Sequence, residues 1–259
     1  MTAYQCIIIM LILCVIVVLH LKQTHEFLSE SKQWLVILRG IHYDPKYRKG
    51  DDYQYTLENF RTHIIQPLEI NHGGCDVMVS TYKSIKTDAM IDAYRPKYVL
   101  LHDADYSKQS KLYCTIKALE HPCVQKYRYV FVFRFDLYMK QSFTDLLSVM
   151  DLSKLNLPFK EVNDTGSHTQ QQEKRDWKRN RVGDAVHVLP VTMTTVFVDA
   201  LRTMDASIQN NKCENNGHQL YNYLPRHSRQ TYVHFMYPSI LDSNPDSDPN
   251  PVYDELRIK

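Results

Sequence analysis

Tyr127-Arg128-Tyr129-Val130-Phe131-Val132-Phe133-Arg134-Phe135-Asp136-Leu137-Tyr138-Met139 is the stretch that decides the fold. Its β-branched and aromatic run is too short for a helix and predicts a strand buried on both faces. At the carboxyl end of that strand the apolar pattern admits a cation and an anion two residues apart, Arg134 and Asp136. Parallel α/β sheets place ligands at the carboxyl ends of their strands. A carboxylate there, beside a fixed guanidinium, suits a divalent cation with a phosphorylated ligand. An internal Arg-Asp pair closing the strand end is the other reading of the same residues, and this segment alone does not separate the two.

Working back toward the N-terminus, Trp34-Leu35-Val36-Ile37-Leu38 predicts a first buried strand ending at Arg39-Gly40, and Tyr43 to Tyr55 a loop at its carboxyl end. Leu57, Phe60, Ile64, Ile65 and Leu68 share one helical face, which Gly73-Gly74 stops. Cys75 to Ser80 predicts the second strand and Tyr98 to Leu101 the third, with a short helix through Met90, Ile91 and Tyr94 between them. Leu112, Ile116 and Leu119 mark a helix before the fourth strand, Tyr129 to Phe135. Strand and helix thus alternate, which predicts an α/β fold: a mostly parallel central sheet with helices on both faces. Beyond it, Phe143, Leu146, Leu147 and Met150 mark a short helix, Asn156 to Arg181 reads as a long polar mobile loop, and Ala185 to Leu189 as a further strand. Pro190 opens a helix through Met193, Val196, Phe197, Ala200, Leu201 and Met204.

Composition bounds the partners. The 259 residues are 44% hydrophobic and 23% charged with a formal net charge of +2, enough for one large core or two small ones and without the basic field of a nucleic-acid binder. Cys6 to Leu19 is an unbroken apolar run, and with its flanks it approaches the roughly 20 residues that span a bilayer. No small-residue cleavage site follows, so residues 1–21 are expected to be a transmembrane signal anchor rather than a removed leader. Residues 22–33 then form a polar stem, 34–242 the folded domain and 243–259 a disordered tail. The expected location is a single-pass membrane protein, of the ER or Golgi type or in a host-cell membrane. Its orientation is open, because Lys22 follows the run and no Lys or Arg precedes it. Cys75, Cys114, Cys123 and Cys213 outside the anchor have the spacing of neither a disulfide framework nor a metal knuckle, and Asn163-Asp164-Thr165 is a lone glycosylation triplet.

Four features in this order resemble membrane-anchored and polysaccharide-building glycosyltransferases of the GT-A type, including those of large algal DNA viruses. They are a strand ending Leu38-Arg39-Gly40, the strand Cys75-Asp76-Val77-Met78-Val79-Ser80, the strand end Arg134-Phe135-Asp136-Leu137, and Gly183-Asp184-Ala185-Val186-His187-Val188-Leu189-Pro190 before a helix. The resemblance implies a Rossmann-related GT-A domain that moves a sugar from a nucleotide-diphosphate sugar to a glycan hydroxyl, with Mn²⁺ or Mg²⁺ at an Asp-x-Asp position after the fourth strand. A catalytically inactive, membrane-anchored domain that binds glycan or protein is the alternative. Asp136 occupies the expected metal position, but Arg134 stands where the first Asp belongs. Asp103-Ala104-Asp105 matches the motif literally, after the third strand. The resemblance makes Arg39, Gly40, Asp76, Arg134 and Asp136 donor-site candidates, with Tyr82 a weaker one, and Asp184 the candidate base that takes the acceptor's proton. His218 is a further candidate metal ligand, His187 a packing residue, and Trp177 with Lys178, Arg179 and Arg181 a candidate lid.

Removal of residues 1–21 is expected to leave a folded chain that stays in solution without detergent. Aggregation of the truncated chain beside a monodisperse full-length chain in detergent, compared by size-exclusion chromatography, would place the segment in the fold.

Overall fold

Alternate residues of Trp34–Gly40 (β1) point into two separate cores, because successive strand side chains face opposite sides of the sheet. Trp34, Val36 and Leu38 join Phe60, Ile64, Met90, Phe131, Phe133 and Phe143 on one face. Leu35 and Ile37 join Ile116, Leu119, Val130, Val132, Phe197 and Leu201 on the other. A computed structural model describes residues 32–44, 52–103, 109–161, 181–182, 185–210, 219–225, 229–237 and 252–255. All but Lys32 belong to one compact unit, Gln33–Lys259. The expected anchor and stem, the glycosylation triplet, Cys213 and Trp177 lie outside the described residues, among which no helix is long and apolar enough to cross a membrane.

From β1 the chain passes through a helix, Gln54–Phe60 (α1), a π turn, Arg61–Ile65, and Gln66–Asn71 (α2). The π turn has a local cause. Pro67 brings no N–H to the helical ladder, and Gln66 N–H reaches five residues back to Arg61 O. Gly73 and Gly74 end the element with φ of +72° and +85°, and Gly74 N–H caps Leu68 O at 2.8 Å. Strand Cys75–Tyr82 (β2), helix Thr87–Tyr94 (α3), strand Tyr98–His102 (β3), helix Tyr113–Leu119 (α4) and strand Tyr129–Arg134 (β4) follow. Next come Leu137–Met139 (β5), Phe143–Leu147 (α5), Leu155–Glu161 (β6), Arg181–Val182 (β7), Val186–Pro190 (β8), the long helix Thr194–Gln209 (α6), Val233–Tyr237 (β9) and Tyr253–Glu255 (β10).

The eight-stranded sheet runs β3-β2-β1-β4-β8-β6-β7, with β9 on β6. The first four strands are parallel, as the alternation of elements predicts. Strand β8 enters antiparallel to both β4 and β6, a direction its apolar run does not encode. Side chains of α1, α2, α3 and α5 cover one face, those of α4 and α6 the other.

Two boundaries differ from the sequence reading. Asn156 to Glu161 is not loop but the greater part of β6, hidden in the sequence by Pro158, Lys160 and Glu161. Pro158 is tolerated because it is skipped in the register with β9, where Leu157 pairs Phe235 and Phe159 pairs Tyr237. In the expected tail, Val252 is buried and Tyr253–Glu255 pairs antiparallel with β5.

Asn156 is fully buried and earns its place through hydrogen bonds. Its Oδ1 accepts from Asp151 N at 2.8 Å, and its Nδ2 donates to Asp151 O and Lys154 O at 2.9 Å and to Val188 O at 3.3 Å. Asn156→Ala strands these backbone groups away from water and is expected to cost about 2–3 kcal/mol, read from the urea midpoint at unchanged slope.

Candidate functional site

The order β3-β2-β1-β4 contains a reversal: the chain builds outward from β1 to β3, then returns to lay β4 against the other side of β1. At such a switch point the loops leaving two neighbouring strands diverge and open a crevice at their carboxyl ends. Arg39 and Arg134 are register partners across this boundary, with Ser80 the partner of Arg39 on β2. Parallel partners in register point to the same face, so two guanidiniums and a hydroxyl stand in one row at the strand ends. Arg39 is buried, and Gly40 beyond it has a φ of +99°; among the described residues nothing lies within 4 Å of where its Cβ would stand.

Asp136 lies in the turn between β4 and β5, and Arg134 grips it as a fork. Nε donates to Oδ1 at 2.9 Å, and Nη2 pairs with Oδ2. The pair is therefore internal, and it stands at the switch point. Helix α1 holds the turn that carries it. Thr56 Oγ1 donates to Phe135 O at 2.6 Å, and Asn59 takes both backbone groups of Met139, donating to its O at 2.9 Å and accepting from its N at 2.6 Å. Asn59 thus acts as a strand partner would.

The other candidates are dispersed. Asp76 sits at the amino end of β2, paired in register with Leu35, where it accepts from Lys97 Nζ at 2.5 Å and Tyr127 OH at 2.6 Å. It braces the opposite edge of the sheet and does not join the carboxyl-edge group. Asp103 is 79% exposed and pairs with Lys83 Nζ at 2.6 Å. Asp105, Asp184 and His218 lie outside the described residues. His187 is buried with its ring 5.2 Å from that of Phe197, as a packing residue should be. Cys75, Cys114 and Cys123 are buried, and burial pushes the thiols of Cys114 and Cys123 up to about 11.

As a metal position, Asp136 offers one carboxylate that it already shares with Arg134. Among the described residues no three His, Cys, Asp or Glu side chains gather. That donor set fits a cation that takes most of its ligands from phosphate oxygens and water.

Residues without a local sequence signal complete the edge. Ser80 Oγ donates to Cys114 O at 2.8 Å, so at its 2.9 Å contact with His102 the ring Nε2 is the donor. Tyr82, His102 and Tyr113 cluster around it, with His102 and Tyr113 centroids 5.1 Å apart. Burial holds the His102 pKa below its usual value, helped by Lys117 and opposed by Asp103. On the other face His42 bridges Thr81 Oγ1 at 2.8 Å and Ser84 Oγ at 2.7 Å, while Lys86 pairs with Asp52 and lies 4.6 Å from the Tyr43 ring centre. These partners lie 39 and 42 residues from His42 in the chain, so only the fold assembles them.

No family model matches the chain, and no curated protein matches it. Among solved structures it is similar to a protein of Desulfovibrio desulfuricans G20 provisionally assigned as a nucleotide-diphospho-sugar transferase. The TM-score is 0.44 at 9% identity, over 81% of this chain and 80% of that one.

Burial lowers the His42 pKa from 6.5 to about 4, against a smaller upward pull from Asp52. Between those two values the unfolded chain binds a proton at this position that the folded chain does not, and stability falls as pH drops. His102 adds to the same slope. Thermal midpoints measured from pH 7 to pH 4 should therefore decline, and His42→Asn should flatten the decline. An unchanged slope in the variant would remove His42 from the effect.

Proposed function

We propose that this chain is a glycosyltransferase that binds a nucleotide-diphosphate sugar at the carboxyl edge of β1, β2 and β4 and passes the sugar to a glycan hydroxyl. The observation that carries the reading is the side-by-side register of Arg39 and Arg134 at the switch point, next to the open side of Gly40. Two planar, permanently charged groups on neighbouring strands suit the oxygens of a diphosphate, which each can meet through two N–H bonds. Gly40 permits the close backbone approach that such a ligand needs.

In the proposed reaction the acceptor oxygen attacks the anomeric carbon, the bond from that carbon to the diphosphate oxygen breaks, and the nucleoside diphosphate leaves. Asp184 takes the acceptor's proton. Arg39 and Arg134 meet the charge that accumulates on the departing diphosphate, and their worth grows as that charge develops. Asp136 orients Arg134 and would hold a Mn²⁺ or Mg²⁺ ion, whose charge would add to the same neutralisation. The apolar run at the N-terminus is proposed to tether the domain to a membrane.

The test is a thermal-shift screen of the detergent-solubilised full chain against nucleotide-sugars, with and without Mn²⁺, followed by transfer assays with the nucleotide that binds. Arg39→Ala and Arg134→Ala should each weaken donor binding by about 10–100-fold, the worth of a charge-assisted contact. Asp184→Asn should leave donor affinity unchanged and lower turnover by about 10²–10⁴-fold. Binding without transfer to any glycan would make the chain a binding module. Failure of every nucleotide-sugar to bind, or binding indifferent to both arginines, would overturn the reading.

A further inference from the structure

Gly40 ends β1 beside Arg39, and Thr81 is its register partner on β2. Thr81 Oγ1 donates its hydrogen to Gly40 O at 2.7 Å. A threonine hydroxyl has one hydrogen, so the 2.8 Å contact between Thr81 Oγ1 and His42 Nδ1 requires the ring nitrogen to donate. On the neutral ring Nε2 then carries a lone pair, and Ser84 Oγ donates to it at 2.7 Å while itself accepting from Lys86 N at 3.1 Å. Each hydrogen in the series from Lys86 N through Ser84, His42 and Thr81 to Gly40 O therefore has one possible place. The His42 ring also has two aromatic neighbours. Its centroid lies 5.9 Å from that of Phe135 and 6.3 Å from that of Tyr53, and its own carbonyl accepts from Tyr53 N at 2.9 Å.

We infer that His42 is a positioning residue of the donor site: as the Nδ1–H tautomer it orients Thr81, and through Thr81 the Gly40 carbonyl, so that the open side of Gly40 faces the donor's diphosphate. The inference rests on the reading of this edge as the donor site. His42 does not touch the donor; it acts two hydrogen bonds away, and its ring is a tilted neighbour of Phe135, the residue that precedes Asp136. The same ring ties the chain leaving β1 to the end of β2 and the loop beyond it, through Thr81 and Ser84. Such pre-organisation removes an ordering cost from binding.

The experiment uses the isotopically labelled full chain and two variants, Thr81→Val, which keeps the shape and removes the hydroxyl, and Ser84→Ala in the partly exposed loop. Nitrogen spectra of the imidazole at neutral pH should show His42 protonated at Nδ1 and bare at Nε2. Thr81→Val should move the carbonyl resonance of Gly40 and weaken binding of UDP, ADP or GDP, whichever the wild type takes up, by about three- to tenfold. Ser84→Ala should mix the two tautomers and give a partial form of both effects, and it carries the test if Thr81→Val fails to fold. A wild-type His42 protonated at Nε2, or a Gly40 resonance and a nucleotide affinity both untouched by the variants, overturns the positioning role alone. If the wild type binds none of the three nucleotides, the donor-site reading fails and the positioning role falls with it.

Discussion

Strand β1 is paired in parallel on both sides, by β2 and by β4, and its register with β4 places Arg39 beside Arg134. The arrangement of the carboxyl edge depends on that pairing. It holds because both strands are apolar on both faces, and a one-residue slip of β4 would exchange Val130 and Val132 with Phe131 and Phe133 between two cores of different shape. The aromatic residues strengthen the choice. Trp34 stacks on Tyr129 at 4.7 Å and meets the edge of Phe143 at 4.8 Å, contacts available in one register only.

Polar side chains then do locally what the apolar cores cannot. The turn after β4 is not extended sheet, and its backbone groups need partners if they are to be buried. Thr56 and Asn59 supply them from α1, and β10 supplies more through β5. Asp136 is thereby delivered to the same edge as Arg39 and Gly40, gripped by Arg134. The amino edge is built on the same logic with Asp76, Lys97 and Tyr127, and it shows how one residue type serves different ends. A carboxylate with a cation and a hydroxyl at the amino end of the sheet is a brace. A carboxylate with a guanidinium at the carboxyl end is a candidate for chemistry.

Much of this is legible in the sequence. The runs at Trp34–Leu38, Cys75–Ser80 and Tyr129–Phe135 are strands because apolar β-branched and aromatic residues of that length have no better way to bury both faces, Tyr98–Leu101 adds a half-buried edge strand, and their alternation with helical faces makes them parallel. Arg39, Gly40, Arg134 and Asp136 stand out because polar residues at the end of such a run break its pattern. Direction and pairing are less accessible. Nothing in Val186–Pro190 distinguishes a parallel strand from the antiparallel one it forms, and Pro158, Lys160 and Glu161 disguise β6 as loop.

The sequence by itself determined the buried strands and which of their ends carry charge, since burial periodicity is a local property of the chain. Tertiary structure alone decided that β4 returns to the side of β1 rather than beyond β3, which turns two distant arginines into neighbours. It also decided that Asp76 sits at the amino edge, and that His42, Thr81 and Ser84 form one hydrogen-bonded series. Histidines and hydroxyl residues are common and their spacing along the chain is unconstrained, so a bond between them becomes visible only when strand order and register bring their side chains within reach.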